Sequence, residues 1–268
     1  MRRPMLPPPA DDRAAVVTGA SSGIGEAIAR EFAGRGHRVV VVARRVERLH
    51  ELARTLGGRA HVIPADLSRR ADRAELLNHI ADLGLIPDIL VNNAGLSTLG
   101  PVADADVDAE LKLIEVDVSA VVELCSRFVP GMVRRGRGAV LNVASLGAFG
   151  PVPGVAAYGA AKAFVLSYTH SLRAELKNAG VTAATVCPGP VDTGFAEKAG
   201  YGDGEAEGFM PKFMWKTPDE VAMHAVRGLA DGKAVIIPGV FNRVAAAAFH
   251  LTPRGMLLPL IARINPGV

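Results

Sequence analysis

Residues 14–18, Ala-Ala-Val-Val-Thr, make a short apolar strand pattern that runs straight into Gly19-Ala-Ser21-Ser22-Gly23-Ile24-Gly25. A helical pattern predicted over 26–34, with Ala27, Ile28 and Phe32 on one face, follows without a linker. A strand that turns at once into a helix must cross back over its sheet before pairing again, which commits the chain to βαβ units and parallel strands. The next predicted strand, over 37–43, contains four consecutive valines, and such a run without polar alternation belongs to a strand covered on both faces. Shorter apolar runs predict strands over 60–65, 88–91, 139–144, 181–187 and 234–238. Helical periodicity fills 46–56, 69–83, 106–135 and 156–176, and Thr217-Pro218-Asp219-Glu220 starts a further helix with a capping box. This alternation predicts an α/β fold, a doubly wound parallel sheet of about seven strands with helices on both faces.

With 268 residues, 49% of them apolar, the chain can build a sizeable core in a single domain, expected over 13–240. The formal net charge is only +3 and no long Lys/Arg block exists, which argues against a nucleic-acid partner. Cys125 and Cys187 have neither metal-ligand spacing nor a disulfide-type framework, so reduced thiols and no metal site are expected. Residues 1–12 carry four prolines and no periodic pattern, the composition of a disordered leader. They lack the apolar core of a signal peptide, and nowhere do eighteen apolar residues run uninterrupted, so a cytoplasmic protein is expected. Residues 194–216, rich in Gly, Glu, Lys, Phe and Met without clear periodicity, read as a lid over a site. The segment 241–268 is an apolar C-terminal extension broken by Pro253 and Pro259. Packing on the domain is its default reading, with subunit joining or peripheral membrane contact as alternatives.

Chemistry is expected at the carboxyl ends of the strands, where open α/β sheets keep their ligand crevice. Glycines between a strand and a helix let the backbone approach a pyrophosphate, which gains from exposed N–H groups and the helix dipole. Arg44, at the end of the valine strand, suits a 2′-phosphate where an acidic residue would suit a free ribose; solvation of the next helix by Arg44 and Arg45 is the plainer alternative. Asp66 or Ser68 can cap the helix that follows, and Asn92-Asn93-Ala94-Gly95 can equally be an Asx turn or a crevice wall. Ser145 ends the fifth strand. Tyr158 and Lys162 lie one helical turn apart on one face, and an ammonium fixed beside a phenol favours the phenolate, making Tyr158 a usable proton donor and acceptor. Taken alone, that pair also fits an ordinary surface helix. Pro188-Gly189-Pro190-Val191-Asp192-Thr193 makes a rigid turn at the crevice mouth.

Together, Thr18-Gly19-x-x-x-Gly23-x-Gly25, Asn92-Asn93-Ala94-Gly95, Ser145 with Tyr158-x-x-x-Lys162, and Pro188-Gly189 resemble the classical short-chain dehydrogenases/reductases in order and spacing. The resemblance implies a Rossmann-like domain that transfers hydride reversibly between NADP(H) and a carbonyl/alcohol pair. By it, Gly19, Ser21, Ser22, Gly23, Ile24 and Gly25 hold the pyrophosphate side, Arg44 the adenosine phosphate, Asp66 and Leu67 the adenine, and Asn93, with Ala94 and Gly95 beside it, the nearby ribose. Lys162 also bonds the nicotinamide ribose, Tyr158 is the acid/base, Ser145 polarises the carbonyl, and Pro188, Gly189, Val191 and Thr193 line the nicotinamide.

One residue departs from the family pattern. Asp117 stands where relatives usually have an asparagine that supports a water-mediated proton route to the lysine. An ionised aspartate accepts hydrogen bonds but cannot donate them. Asp117 is therefore expected to hold a water near Lys162 with altered pH behaviour, and its charge is able to draw Lys162 away from Tyr158. Phe149 to Gly154, Pro188 to Phe195 and Leu251 to Arg254 resemble a bacterial branch related to long-chain ketoacyl and hydroxysteroid reductases. Leu146, Phe149, Phe195, Phe209, Phe213 and Trp215 would border a crevice suited to a small lipophilic carbonyl or alcohol. Homodimers or homotetramers built on the long fourth and fifth helices are the implied assembly. The alternative is a catalytically weak dinucleotide-binding regulator or scaffold of the same fold, favoured only by Asp117.

Overall fold

The structure is a computed structural model that describes residues 6–194, 211–252 and 255. Seven strands, β1 (Arg13–Thr18), β2 (Arg38–Ala43), β3 (Ala60–Pro64), β4 (Ile86–Asn92), β5 (Gly138–Val143), β6 (Val181–Val186) and β7 (Val235–Ile236), form one parallel sheet in the order β3-β2-β1-β4-β5-β6-β7. The helices are α1 (Gly23–Gly34), α2 (Val46–Thr55), α3 (Arg70–Asp82), α4 (Val107–Ile114), α5 (Ala120–Arg135), α6 (Ala156–Glu175), α7 (Pro218–Ala230) and α8 (Val240–Leu251). Side chains alternate across each strand, so Val40 and Val42 pack with α3, α5 and α6 while Val39 and Val41 pack with α1, α2 and α7. All four valines are fully buried, each worth about 1.5–3 kcal/mol of transfer free energy. The strand order reverses between β1 and β4, which opens a crevice at their carboxyl ends. Among the described residues no helix is long and apolar enough to cross a membrane.

The doubly wound sheet forms as predicted; several local expectations are corrected. Helix α1 begins at Gly23, three residues before its predicted start, so the last two turn glycines belong to its first turn. The predicted helix over 106–135 is broken by a π-helical turn, Glu115–Ser119. The wider turn changes the buried face: Leu111 is exposed, and Leu113, Val116 and Asp117 are buried instead. Neither Asp66 nor Ser68 caps α3, whose N-cap is Arg69; Asp66 accepts from the Ser68 N–H and hydroxyl, closing an Asx turn. Thr217 and Glu220 do form the predicted capping box of α7.

The leader expected to be disordered over 1–12 is corrected from residue 6 onward. Leu6 packs against the core beside α1, and the Pro8 carbonyl accepts from the Arg137 guanidinium at 2.7 Å. Prolines remove donors but leave carbonyls free to be held by arginine. Residues 195–210 of the predicted lid, including Phe195 and Phe209, lie outside the described residues, whereas 211–216 form a short 3₁₀ turn and a bridge between Val191 and Lys216.

Candidate active site

At the glycine turn, Thr18 ties two strand ends together. Its hydroxyl donates to the Val91 carbonyl (3.1 Å) and accepts from the backbone N–H groups of Asn93 (2.9 Å) and Ala94 (3.1 Å). The Asn93 amide donates back to the Thr18 carbonyl at 2.9 Å, so its nitrogen serves the turn itself. Gly19 adopts φ +65°, and a Cβ there would lie 2.8 Å from Ala94 Cα; one on Gly25 would lie 2.5 Å from the Gly19 carbonyl oxygen. Bare backbone is therefore required on packing grounds, and it leaves a cradle of the kind a pyrophosphate fits.

Beside this turn lies a cavity of about 330 Å³ whose lining includes Ser21, Ser22, Arg30, Arg45 and Arg48. Arg45 donates to the hydroxyls of Ser22 (2.7 Å) and Ser21 (2.9 Å). Ser22, the N-cap residue of α1, makes no side-chain cap. Arg44 is exposed on the other side, close enough to act on Asp66. Burial pushes the Asp66 carboxyl up, but the Ser68 hydrogen bonds and the charges of Arg44 and Lys112 outweigh it and hold the group below its ordinary range. Leu67 buries its side chain in the core and gives its carbonyl to Arg73 at 2.8 Å. Buried Arg73 also pairs with Glu115 (3.0 Å) and Glu123 (2.7 Å), joining this loop to the start of the π turn.

At the other end, Ser145 follows β5 and caps a short turn, Leu146–Phe149, its Oγ accepting from the Gly147 N–H at 3.2 Å. Tyr158 and Lys162 share one face of α6. Lys162 is buried, its Nζ 5.5 Å from the Tyr158 ring centroid and 3.3 Å from the Val143 carbonyl. Asp117 Oδ2 lies 2.9 Å from the same Nζ, and Asp117 Oδ1 accepts from the Leu96 N–H at 2.7 Å. The carboxylate thus meets the ammonium by direct contact, and Lys162 keeps its place beside Tyr158. Gly95 makes this possible, since a Cβ there would lie 3.1 Å from both Asp117 Oδ2 and Lys162 Nζ.

Burial acts against both charges. It raises the Asp117 carboxyl above its ordinary range, with Lys162 and the Leu96 N–H pulling it partway back. For Lys162 burial favours the neutral amine, but Asp117 and Tyr158 outweigh it and hold the ammonium above the ordinary lysine value. Burial pushes both cysteines, Cys125 and Cys187, up to about 12, which removes them as nucleophiles near neutrality.

The turn over the crevice is stitched at several points. The Leu146 N–H donates to the Pro188 carbonyl (2.8 Å), the Lys216 N–H to the Pro190 carbonyl (3.1 Å), and Thr193 packs where a Cβ on Gly23 would fall, 2.9 Å away. Of the residues singled out in the sequence, Gly19, Gly23, Asn93 and Thr193 meet at one end and Gly95, Asp117, Tyr158 and Lys162 at the other. Sequence reasoning gave Thr18, Arg45 and Arg73 no role at the site. Thr18 closes the strand and Arg45 adjoins Arg44, so both carried a positional signal; Arg73 sits in a polar helix pattern with none.

A family model described as short chain dehydrogenase matches residues 13–203. The chain is 36% identical over 210 residues to the NADP-dependent 3-hydroxy acid dehydrogenase YdfG of Escherichia coli (strain K12), covering 77% of this chain and 85% of that one. Among solved structures, a short-chain dehydrogenase from Sphingobium yanoikuyae in complex with NADPH superposes with a TM-score of 0.78 at 32% identity, over 93% of this chain and 95% of that one. A bulky-bulky ketone specific alcohol dehydrogenase from Comamonas testosteroni superposes with a TM-score of 0.72 at 29% identity, over 92% and 93%.

Proposed function

This chain belongs to the short chain dehydrogenase family, and on that premise we propose that it is an NADP(H)-dependent oxidoreductase that reduces a lipophilic ketone or 3-oxoacyl group. The observation that carries the reading is the buried Lys162 ammonium, fixed 5.5 Å from the Tyr158 ring by Asp117 and the Val143 carbonyl. Gly19, Gly23 and Gly25 present the backbone cradle for a pyrophosphate, and Arg44 and Arg45 bring the cations that a 2′-phosphate calls for. Bound there, NADP(H) would supply the hydride chemistry of a carbonyl/alcohol pair. Tyr158 gives its proton to the carbonyl oxygen, and the Lys162 charge stabilises the phenolate that remains. Ser145 Oγ accepts from Gly147, which leaves its own hydrogen to donate to the same oxygen.

The relative named for bulky ketones supports a lipophilic carbonyl, and the one named for a 3-hydroxy acid supports the 3-hydroxy/3-oxo pattern of a 3-oxoacyl group. Residues 13–240 would be the cofactor-binding and catalytic unit, working as a homodimer or homotetramer in the cytoplasm, where two free buried thiols are at home. The test is a fluorescence titration with NADPH and NADH at matched salt, followed by a carbonyl panel with the tighter cofactor. NADPH is expected to bind at least about tenfold more tightly. Equal affinities or a preference for NADH would overturn the phosphate assignment, and absence of turnover across the panel would favour the regulator.

A further inference from the structure

We propose that Asn242 of α8 is a positioning residue for the substrate side of the site. Through this one amide the C-terminal extension holds the Pro188 to Thr193 turn and the 211–216 segment in a single arrangement. The proposal rests on the carbonyl-reductase reading only for its kinetic readout.

Asn242 is 1% exposed on a helix whose neighbouring Phe241 and Val244 are 58% and 63% exposed. An amide buried at such a place needs partners. Its Nδ2 donates to the Pro238 carbonyl at 2.8 Å, just before α8, and to the Met214 carbonyl at 3.1 Å. Both amide hydrogens are thereby used. The same side chain packs flat on the crevice turn: a Cβ on Gly189 would fall 2.6 Å from Asn242 Oδ1 and 2.7 Å from Cγ. Gly239, at φ +89°, makes the bend that sets α8 in this position.

Three segments far apart in sequence therefore converge on one group. Oδ1 has no hydrogen-bond partner among the described residues, so a hydrophobic isostere would spare that cost if burial alone mattered. Two further contacts make the arrangement continuous with the catalytic residues. Lys216 pairs its backbone with Pro190 and Val191, and α8 packs against the Leu146–Phe149 turn that Ser145 begins. Outside, the rings of Phe213 and Phe241 meet at 4.6 Å between centroids, tilted at 54° to one another, and join the 211–216 segment to α8 a second time.

Trp215, the single tryptophan of the chain, follows Met214 and reports on this segment directly. The experiment compares Asn242→Asp, which keeps the shape but lacks both hydrogens, and Asn242→Leu with the wild type. Acrylamide quenching of Trp215 is expected to rise about twofold in both variants. KM for the carbonyl substrate is expected to rise about tenfold with kcat changed far less, while affinity for 2′,5′-ADP, which reads only the adenosine end, stays unchanged. A merely structural role would instead lower 2′,5′-ADP affinity and kcat together. Val244→Ser, on the exposed face of the same helix, should leave all of these readouts as they were. Wild-type quenching and KM in both Asn242 variants would overturn the proposal. Should those variants fail to fold, Gly189→Ala displaces the same amide from the opposite side with its donors intact; unchanged quenching there overturns the proposal equally. If the wild type turns over no carbonyl, the functional reading fails while quenching still decides the role of Asn242.

Discussion

At the glycine-turn end of the crevice, Thr18, the glycine turn and Arg45 all come from one βαβ unit, and each is held by a neighbour a few residues or one strand away. The end that holds Tyr158 draws Gly95, Asp117, Ser145, Lys162, Gly189 and Asn242 from six separate segments. The first end is defined by bare backbone, which tolerates no side chain but carries no buried charge. The second is organised around a buried ion pair that needs every surrounding piece in place. Damage to the first should therefore weaken cofactor binding by graded amounts, whereas damage to the second should cost turnover or the fold itself.

The largest effect is expected for Tyr158→Phe. Loss of the proton donor should lower turnover on the order of a thousandfold, with NADPH affinity kept, as read by steady-state kinetics beside a fluorescence titration. A variant that retained most of its activity would remove Tyr158 from the proposed chemistry.

Next comes Asp117→Ala, which strands the Lys162 ammonium in the interior and should cost about 3–5 kcal/mol in denaturant unfolding. Lys162 is held above its ordinary value, so its stabilisation is complete below the unfolded lysine pKa of 10.5 and lost only as pH rises through the higher folded value. Without Asp117, burial pulls the Lys162 ammonium below its ordinary value, so the deficit should shrink as pH rises and the stranded amine loses its proton. The milder Asp117→Asn removes a negative charge from the surroundings of Tyr158 and leaves the ammonium uncompensated. The acid-side limb of alcohol oxidation, where the proton acceptor must be deprotonated, should move to lower pH; an unmoved profile would show that the pair is structural only.

Smaller still, Arg45→Ala should weaken NADPH binding about tenfold at low salt and leave NADH untouched. Arg44→Ala, measured beside it, decides how the phosphate is shared between the two arginines. The smallest effect concerns His37, whose ring meets Phe32 edge-on at 5.5 Å. Burial, then Arg35 and Arg137, hold it below the ordinary histidine value of 6.5. Its folded pKa lies below the unfolded one, so stability present above pH 6.5 is lost as pH falls through the folded value. Melting temperature should drop on going from about pH 7 to 5, and His37→Phe should recover up to about 1 kcal/mol of that loss. An identical pH dependence in the variant would move the acid sensitivity away from His37.

How legible each end was follows from the same contrast. The strand, glycine turn and helix from Ala14 to Gly34 are contiguous, and the periodicity of their apolar residues is visible without knowing any partner. Gly19, Gly23 and Arg44 could be named from type and order alone. Asp117 could be named only by its departure from a family pattern, because the π turn that buries it leaves no mark in the heptad of apolar residues around it. Arg45 read as a solvating charge because nothing in its sequence reveals that Ser21 and Ser22 lie across the turn. Asn242 sits in an alanine-rich apolar stretch where a single amide has no local signature at all.

By itself, then, the amino-acid order determined the alternation of strands and helices, the position of the glycine turn and the spacing of Tyr158 and Lys162, since each depends on the rotation or pleat of a single element. Only the tertiary structure decided that Asp117 meets Lys162 directly, that Gly95 makes room for the pair, that the proline-rich leader docks on Arg137, and that α8 reaches back to Gly189. Those are contacts between surfaces that come together after the sheet has formed, where burial raises the energetic weight of each charge and each unpaired amide well beyond anything residue type and spacing record.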